Sequence, residues 1–446
     1  MLRPVGLDRR PEIAAAALAV ALAVLVGGSL TLDWVTPRVV QLAIGAGLVA
    51  VFVRLDNDAP MIPRVLRPAT AVFASSLLAS SSTFYLVGDE FETAYLPLWL
   101  VQTLGFLAGH LAFPRMSRRL RGAQLRVNLR KLDRYAWWMF WVCLAAAVMY
   151  LRTVGIGALG GDLEQSRIDA AQGTTGYLRL IAFLTPAAAA LLFATRGRRA
   201  WFPVAAAALF ILSVGSRIPL LYFAFPLVVV VALVGQKIKS RHIVVVAILA
   251  LVFLGWYGAF RIEGQEGLNN HPMYKAAVAQ GDTTQVAMTA VEHYAGVIPA
   301  NAVLVKRLVD QERIPLQYGQ TYTTLFISVL PGRQVSPDMM VREASNKEFI
   351  GGGIPPTLMG EGYMNWGWPG VFLNAMALML LARYWGSVVV SVYRSGDRYQ
   401  LRVVALIYGY VIAWAVFAQT SGFAGSATIT LATFLVFVAM RRLARA

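Results

Sequence analysis

Residues 351–370 read GGGIPPTLMGEGYMNWGWPG, and an apolar run from Val371 to Leu381 follows directly. This glycine-rich stretch holds seven glycines and three prolines, which predict irregular backbone because both residue types interrupt regular structure. Irregular backbone at the edge of a membrane span is tolerated only where protein or a water-filled cavity satisfies its polar groups. The stretch therefore predicts a site built at the membrane surface, with Glu361 as its one carboxylate.

The composition of the chain is that of a polytopic membrane protein. Of the 446 residues, 58% are hydrophobic and only 14% are charged, whereas a soluble domain carries about 25% charged residues. Long segments therefore have no solvated face. Cys143 is the only cysteine, which excludes an intramolecular disulfide.

Twelve segments are apolar over roughly the 20 residues that a membrane helix needs. They are 13–33, 39–54, 66–87, 93–113, 135–154, 176–195, 200–215, 217–235, 242–260, 368–392, 401–419 and 425–440. Neither an internal repeat nor a low-complexity linker divides the chain. We therefore expect one all-α, membrane-embedded domain over residues 1–446.

The basic residues indicate which side of the membrane each loop faces. The two termini and alternate loops hold 27 of the 40 Lys and Arg residues, but only 6 of the 23 Asp and Glu residues. Basic residues accumulate in cytoplasmic loops, so we expect both termini in the cytoplasm. The net charge of +17 then reflects topology and not a nucleic-acid partner.

Two loops on the opposite, external face stand out. External loop 3 covers residues 155–175, and the loop between the ninth and tenth spans covers residues 261–367. The second loop is the only segment of soluble-domain size, and it ends in the glycine-rich stretch. Helical periodicity from Thr283 to Asp310 predicts that it contains a helix lying on the membrane surface.

Three arginines near the external boundary are candidate ligands of a lipid-linked diphosphate. Arg217 opens a predicted helix, Arg261 begins the long loop, and Arg167 lies in external loop 3. Arginine stays protonated and binds phosphate oxygens in a bidentate manner. Pro219 marks the first helical turn after Arg217, whose amides would add to the attraction for an anion. The alternative interpretation is that Arg217 only anchors a helix end.

Glu361 is the candidate general base of this site. Glycines flank it on both sides, so a substrate can approach its backbone closely. Apolar walls would raise its pKa toward the range of a base. The aromatic side chains that could form these apolar walls are Tyr363, Trp366 and Trp368. The same side chains could instead stack on sugar rings. The alternative interpretation is an interfacial aromatic belt with a carboxylate that binds backbone amides.

Among the few histidines, His293 is the candidate for a catalytic role. It stands in Glu292-His293-Tyr294 within the long loop, where a carboxylate–imidazole pair is one interpretation and an exposed histidine is the other. The spacings HxxxH, HExxH and CxxC do not occur, so we expect no metal site.

Three stretches together resemble the Wzy-type O-antigen and oligosaccharide repeat-unit polymerases of bacterial envelopes. They are Ser216-Arg217 at a helix start, Tyr318-Gly319-Gln320-Thr321-Tyr322 with the following Pro331-Gly332-Arg333, and the glycine-rich stretch. Span number, topology and the dominant late external loop agree along most of the chain. The resemblance implies a GT-C-like glycosyltransferase in the bacterial inner membrane, related to O-antigen ligases, with its active site on the periplasmic side.

Enzymes of this family take an oligosaccharide from a polyprenyl diphosphate on the external leaflet and transfer it to a sugar hydroxyl of another lipid-linked unit. The resemblance implies that Arg217, Arg261 and Arg167 bind the diphosphate. Some members keep a glycine eleven residues after the arginine, and that position after Arg167 is Leu178 here. Arg167 therefore departs from the family pattern.

The resemblance also implies an inverting reaction without a metal or another cofactor. Glu361, or failing it His293, would remove the proton of the acceptor hydroxyl. The expected sugar and acceptor ligands are Tyr363, Asn365, Trp366, Tyr318 and Tyr322. The implied partners are the lipid-linked oligosaccharide, the bilayer, a chain-length regulator and a flippase, and no nucleic acid.

Three other functions are alternatives. An O-antigen ligase shares fold and donor but uses a different acceptor, and only the family motifs favour a polymerase. A lipid-linked oligosaccharide flippase would typically show inverted repeats, which the sequence lacks. A metal-dependent membrane glycosyltransferase with paired carboxylates in its first external loop is disfavoured, because that loop covers only residues 33–38 here.

Overall fold

The computed structural model describes residues 37–55, 62–80, 89–120, 128–154, 176–214, 217–235, 272–281, 298–327, 336–346, 353–424 and 437–438. Within these ranges all regular structure is helical and no strand occurs. The all-α class expected from the sequence is confirmed for this part of the chain.

The N-terminal half contributes eight α-helices to the described residues. They are α1 Pro37–Leu55, α2 Pro68–Ser80, α3 Leu96–Leu120, α4 Leu129–Val154, α5 Gly176–Phe183, α6 Thr185–Arg196, α7 Trp201–Val214 and α8 Arg217–Val230. A π-helical turn, Phe91–Tyr95, leads into α3, and a 3-10 turn, Gly197–Ala200, joins α6 to α7.

The C-terminal half contributes short helices followed by two long ones. They are α9 Pro272–Ala279, α10 over residues 298–310, α11 Gln320–Ile327, α12 Pro337–Ala344, α13 Thr357–Trp366, α14 Trp368–Arg394 and α15 Arg398–Ser421. The helix predicted from Thr283 to Asp310 is present over residues 298–310, and its first part lies outside the described residues.

Five helical stretches of the described chain are long and apolar enough to cross a membrane. They are Phe91–Phe113, Leu129–Thr153, Leu178–Val214, Trp368–Arg394 and Arg398–Ser421. Nine of the twelve predicted spans fall on helices, whereas 13–33, 242–260 and 425–440 lie wholly or almost wholly outside the described residues. These apolar helices fit an all-α protein embedded in a membrane.

The core of the bundle forms where α14 packs along α3, while α15 packs against α8 and α14. Gly105 and Gly109 of α3 have the spacing of the GxxxG motif and let the two backbones approach closely. A β-carbon at Gly109 would lie 2.7 Å from the carbonyl oxygen of Met376, and one at Gly105 would collide with the carbonyl oxygen of Phe372. Small residues therefore set the distance between α3 and α14.

Arg383 and His110 form a partly buried polar contact between α14 and α3. Arg383 Nη1 lies 2.7 Å from His110 Nδ1, and the guanidinium carbon lies 5.2 Å from the centre of the Phe113 ring. An ionisable group within a membrane span is costly unless polar or aromatic neighbours stabilise it. This contact therefore gives α3 and α14 a specific polar link beside their close packing.

The prediction of irregular backbone for the glycine-rich stretch was wrong for residues 357–366, which form α13. The glycines within α13 serve close packing. A β-carbon at Gly360 would lie 3.1 Å from Val305 of α10, and one at Gly362 would lie 2.7 Å from the carbonyl oxygen of Gly370. The helix can therefore sit directly against α10 and α14. It ends at Gly367, whose φ of 63° favours glycine.

Candidate functional site

Helix α13 begins at a strained residue. Thr357 follows Pro355-Pro356, is fully buried, and has a φ of 66°. A positive φ is unfavourable for a β-branched residue, and such strain persists only where the surrounding structure imposes it. The Thr357 hydroxyl accepts a hydrogen bond from the Gly360 amide at 3.2 Å. The start of α13 is therefore held in a defined conformation one turn before Glu361.

Glu361 is fully buried, with 0% of its surface exposed. Its Oε1 accepts a hydrogen bond from the Thr321 hydroxyl at 2.9 Å, and its Oε2 accepts one from the Ala424 amide at 2.8 Å. A β-carbon at Gly422, whose φ is 82°, would lie 2.5 Å from Oε2. The carboxylate is thus enclosed by two segments that are distant from α13 in the chain, one at Thr321 and one at residues 422–424.

Asn365, one turn after Glu361, joins the same network. Its Nδ2 donates to the Thr321 hydroxyl at 2.6 Å and to the Glu361 carbonyl at 2.9 Å. Its Oδ1 accepts from the Gly319 amide at 2.9 Å. The Tyr318 amide also donates to the Asn365 carbonyl, at 2.9 Å. The structure therefore brings together two of the three stretches that carry the resemblance, Tyr318–Tyr322 and the glycine-rich stretch.

The environment of Glu361 changes its acidity. Burial raises the pKa of the Glu361 carboxyl from 4.5 to about 7, while the hydrogen bonds from Ala424 and Thr321 act in the opposite direction. Glu361 lies in α13, before the span Trp368–Arg394. A carboxyl with a pKa near 7 can exchange a proton at neutral pH, which is a property of general bases.

Two aromatic residues, Tyr322 and Trp366, border this network. Trp366 was a predicted wall of Glu361, whereas Tyr322 was predicted only as a sugar or acceptor ligand. Their ring centres are 5.4 Å apart, and the Tyr322 hydroxyl donates to Asn374 Oδ1 of α14 at 2.6 Å. Burial and the negative charge of Glu361 hold the pKa of Tyr322 above its ordinary value. Trp366 is partly exposed, and Tyr318 is 72% exposed. Tyr318 therefore belongs to the site through its backbone.

Tyr363 and Trp368 were predicted to form apolar walls around Glu361. The structure instead places them in a separate cluster with Asp310 and Lys306. The Tyr363 hydroxyl donates to Asp310 Oδ1 at 2.7 Å, and the two aromatic ring centres are 5.3 Å apart. Lys306 Nζ lies 5.5 Å from the Tyr363 ring centre. Residues two positions apart on a helix face different sides, so Tyr363 points to α10 while Glu361 points to Thr321.

A second buried polar pair lies between α3 and the last turn of α15. Gln102 Nε2 donates to Gln419 Oε1 at 2.6 Å. Among the described residues, Gln102 Oε1 and Gln419 Nε2 have no hydrogen-bond partner. The segment that follows Gln419 carries Gly422 and Ala424, which contact Glu361. The end of α15 and the segment after it therefore contribute to both polar contacts.

The other predicted site residues fall at or beyond the edge of the described chain. Arg217 is the first residue of α8 and Pro219 is buried in its first turn, so the predicted helix start is present. Arg261, Arg167 and His293 lie outside the described residues. Their roles stay predictions.

Two contributors to the site were missed at the sequence level. Thr321 lies in the quoted Tyr318–Tyr322 segment but had no assigned role, and Ala424 lay in a predicted connection between spans. The pattern EGYMN over residues 361–365 has a carboxylate and an amide four residues apart on α13, which places Glu361 and Asn365 on one helical face. That spacing was the available indication of a shared polar partner.

Within the described ranges, no group of three or more His, Cys, Asp and Glu side chains is arranged as metal ligands would be. No protein-family model, no curated protein and no solved structure matches this chain. The resemblance drawn from the three stretches therefore stays a prediction, and the geometry around Glu361 is the observation on which function is argued.

Proposed function

We propose that this protein is a membrane glycosyltransferase that polymerises oligosaccharide repeat units carried by polyprenyl diphosphate. One observation carries the proposal. Two of the three stretches that resemble repeat-unit polymerases, Tyr318–Tyr322 and the glycine-rich stretch, form a single network around a buried carboxyl, Glu361, whose pKa is about 7. Two stretches brought together around a proton-exchanging group are consistent with a reaction centre.

The proposed reaction is a direct displacement at the anomeric carbon. The acceptor hydroxyl oxygen forms the new bond to that carbon, the bond from the carbon to the phosphate oxygen breaks, and polyprenyl diphosphate leaves with the electron pair. The hydroxyl proton passes to Glu361, or failing it to His293. Inversion at the anomeric carbon follows from a single displacement, and no metal or other cofactor takes part in the proposed scheme.

Glu361 is enclosed, and this places a condition on the proposed base. Both oxygens already accept hydrogen bonds, from Thr321 and from the Ala424 amide. The acceptor hydroxyl reaches the carboxylate when the Thr321 or the Ala424 contact opens. The alternative role, a carboxylate that binds backbone amides, is met by the Ala424 amide itself. Activity and stability of Glu361 variants therefore have to be measured together.

The leaving group in this scheme is bound by Arg217, Arg261 and Arg167. Charge grows on the diphosphate in the transition state, and fixed guanidinium groups stabilise it there. The proposal includes twelve spans with both termini in the cytoplasm, which puts these arginines and α13 on the periplasmic side of the inner membrane. The GT-C-like architecture belongs to the same proposal.

The assay that tests the function uses purified protein in lipid and a polyprenyl-diphosphate repeat unit, with products resolved by size. A ladder of products supports the polymerase. A single adduct formed only when a lipid A acceptor is added would identify a ligase. Recovery of unchanged substrate, with movement across the bilayer of a proteoliposome, would identify a flippase.

A further inference from the structure

Basic side chains concentrate where the first turns of α4 lie beside the turn between α6 and α7. We refer to this group as the basic corner. Its members are Arg130, Lys131, Arg134, Arg196, Arg198 and Arg199, all exposed. In residues 128–135 and 195–202, Asp133 is the only acidic residue. The basic corner therefore carries a strong local excess of positive charge.

An ion pair fixes the two parts of the basic corner together. Arg196 donates through Nε and Nη2 to the two carboxylate oxygens of Asp133, each at 2.7 Å. The Thr195 hydroxyl donates to the same carboxylate at 2.9 Å, and the Arg196 guanidinium carbon lies 4.9 Å from the Trp137 ring centre. Bidentate pairs of this kind hold a defined geometry. The end of α6 is therefore fixed against the first turns of α4.

Beyond the basic corner, the exposed face of α4 changes from aromatic to aliphatic. Trp138 is 69% exposed and Trp141 is also exposed, and exposed Val148 and Met149 follow on the same helix. At 1.5 Å per residue, Trp138 lies about 6 Å beyond Arg134 and Met149 about 16 Å further. Charged, aromatic and aliphatic residues succeed one another in this order from lipid headgroups into the hydrocarbon of a bilayer.

Helix α7 repeats this gradient beside α4. Trp201, 70% exposed, and exposed Phe202 follow Arg198 and Arg199, and Leu209 is exposed further along the helix. The ring centres of Trp141 and Phe202 lie 6.1 Å apart. The exposed aromatic residues of α4 and α7 therefore lie side by side, at the same distance along the bundle. The two gradients therefore form one continuous surface, with its charge at one end.

A third element contributes charge at the same end. A β-carbon at Gly197, in the turn between α6 and α7, would lie 3.5 Å from Nη1 of Arg402 on α15. The guanidinium of Arg402 therefore reaches the turn that carries Arg198 and Arg199. Three separate helical segments supply cations to one place at the end of the bundle.

We propose that this surface is a binding site for an anionic phospholipid. The headgroup phosphate binds the basic corner, and the acyl chains lie along the face lined by Trp138, Trp141, Trp201 and Phe202. A soluble anion would use the cations alone, whereas only a lipid also uses the apolar surface that continues from them. Basic residues at the end of membrane helices bind acidic lipid headgroups in this way. The site is independent of the reaction proposed for Glu361.

The test measures lipid binding to the full-length purified protein by native mass spectrometry, with thermal stability as the second readout. The probes are cardiolipin, phosphatidylglycerol, phosphatidylcholine and inorganic phosphate. The variant combines Arg130→Gln, Lys131→Gln and Arg134→Gln. A matched control removes three charges elsewhere, with Lys275→Gln, Arg313→Gln and Arg342→Gln.

Wild type and the control are expected to bind cardiolipin and phosphatidylglycerol and to gain thermal stability from them, while phosphatidylcholine and inorganic phosphate give neither effect. The basic-corner variant is expected to bind the anionic lipids roughly 100-fold more weakly, since it lacks three basic residues that contribute roughly fivefold each. Wild-type lipid binding by this variant would overturn the proposal. Equal stabilisation by inorganic phosphate would also overturn it, because the apolar surface would then have no role.

A second variant covers the case in which the triple change prevents folding. Trp138→Leu with Trp201→Leu changes two highly exposed rings and leaves every charge in place. This variant is expected to retain its fold and to lose severalfold in cardiolipin affinity. Unchanged affinity in the folded variant would contradict the assignment of the acyl chains to this face.

Discussion

The carboxylate of Glu361 and the hydroxyl of Thr321 lie 2.9 Å apart, although 40 residues separate them in the chain. Thr321 also accepts a hydrogen bond from Asn365 at 2.6 Å, so its hydroxyl connects both polar side chains of α13. All three side chains are buried. Buried polar groups are costly when a partner is lost, so this hydroxyl holds the Tyr318–Tyr322 segment against α13.

Thr321→Val is expected to destabilise the protein by about 1–3 kcal/mol, because it leaves Glu361 Oε1 and Asn365 Nδ2 buried without this partner. The measurement is the apparent melting temperature in detergent. Thr323→Val is the matched control on the same helix, since the Thr323 hydroxyl is exposed and donates only to the Gln320 carbonyl. Equal melting temperatures for the two variants would contradict the role given to Thr321.

The raised pKa of Glu361 predicts a dependence of stability on pH. The folded protein keeps a proton on Glu361 up to about pH 7, whereas the unfolded chain releases it near the ordinary value of 4.5. The protonated Glu361 thus makes its full contribution to the free energy of unfolding below about pH 4.5. This contribution falls as the pH rises from 4.5 to about 7. The total change is about 3 kcal/mol, at about 1.36 kcal/mol per pKa unit.

The check is the melting temperature of wild type and of Glu361→Gln across this pH range. Glutamine does not titrate, so the difference between the two proteins is expected to shift in favour of the variant as the pH rises from 4.5 to 7 and to stay constant above. A difference that does not change with pH would show that the pKa of Glu361 is ordinary.

Gly105→Ala is expected to separate α3 from α14, because its β-carbon would collide with the Phe372 carbonyl oxygen and lie 2.8 Å from Ala375 Cβ. Overpacking of this kind costs about 1–3 kcal/mol. Gly47→Ala in α1 is the control, since a β-carbon there meets nothing within 4 Å. We expect a lower melting temperature for Gly105→Ala alone. Alanine has a higher helix propensity than glycine, so Gly47→Ala is expected to keep or raise the melting temperature. An unchanged or higher melting temperature for Gly105→Ala as well would contradict the close packing of α3 on α14.

Much of the helical framework was predictable because apolar runs of fixed length determine membrane helices. The predicted start of the tenth span, residue 368, is the first residue of α14, and the predicted span 401–419 lies within Arg398–Ser421. The helix Thr357–Trp366 was not predictable from its glycines and proline neighbours. Its packing against Val305 and Gly370 stabilises the helical conformation. These contacts cannot be inferred from the local composition.

Only part of the candidate site was predictable, because most of its contacts join residues that are far apart in the sequence. Glu361 was identified as the one carboxylate of the glycine-rich stretch, and the structure gives it a buried setting. Its partners could not be read from the sequence, because the Ala424 amide is 63 residues away and is a backbone group available at any residue except proline. The direction of Tyr363, toward Asp310, likewise depends on the position of α10.

Arg217→Ala is expected to reduce chain growth at least about 100-fold while the amount of inserted protein stays the same, because the variant lacks a cation that stabilises the leaving diphosphate. Arg313→Ala, which removes an exposed arginine after α10, serves as the control. Product length and yield are measured with the purified enzyme. Full-length polymer from a normally inserted Arg217→Ala protein would contradict the diphosphate role.

The most direct test of the proposed function compares the product ladders of wild type and Glu361→Gln at several pH values, with both proteins shown to be folded. We expect the wild-type rate to rise with pH through about 7, as the carboxyl loses its proton. Above pH 7 the variant is expected to be slower by about 10²–10⁴-fold. This difference is expected to narrow at lower pH, because the wild-type carboxyl is then protonated and the glutamine does not titrate. Near wild-type polymerisation by the folded variant would show that Glu361 is not the base. The role of Glu361 would then be structural, through the hydrogen bond that it accepts from the Ala424 amide.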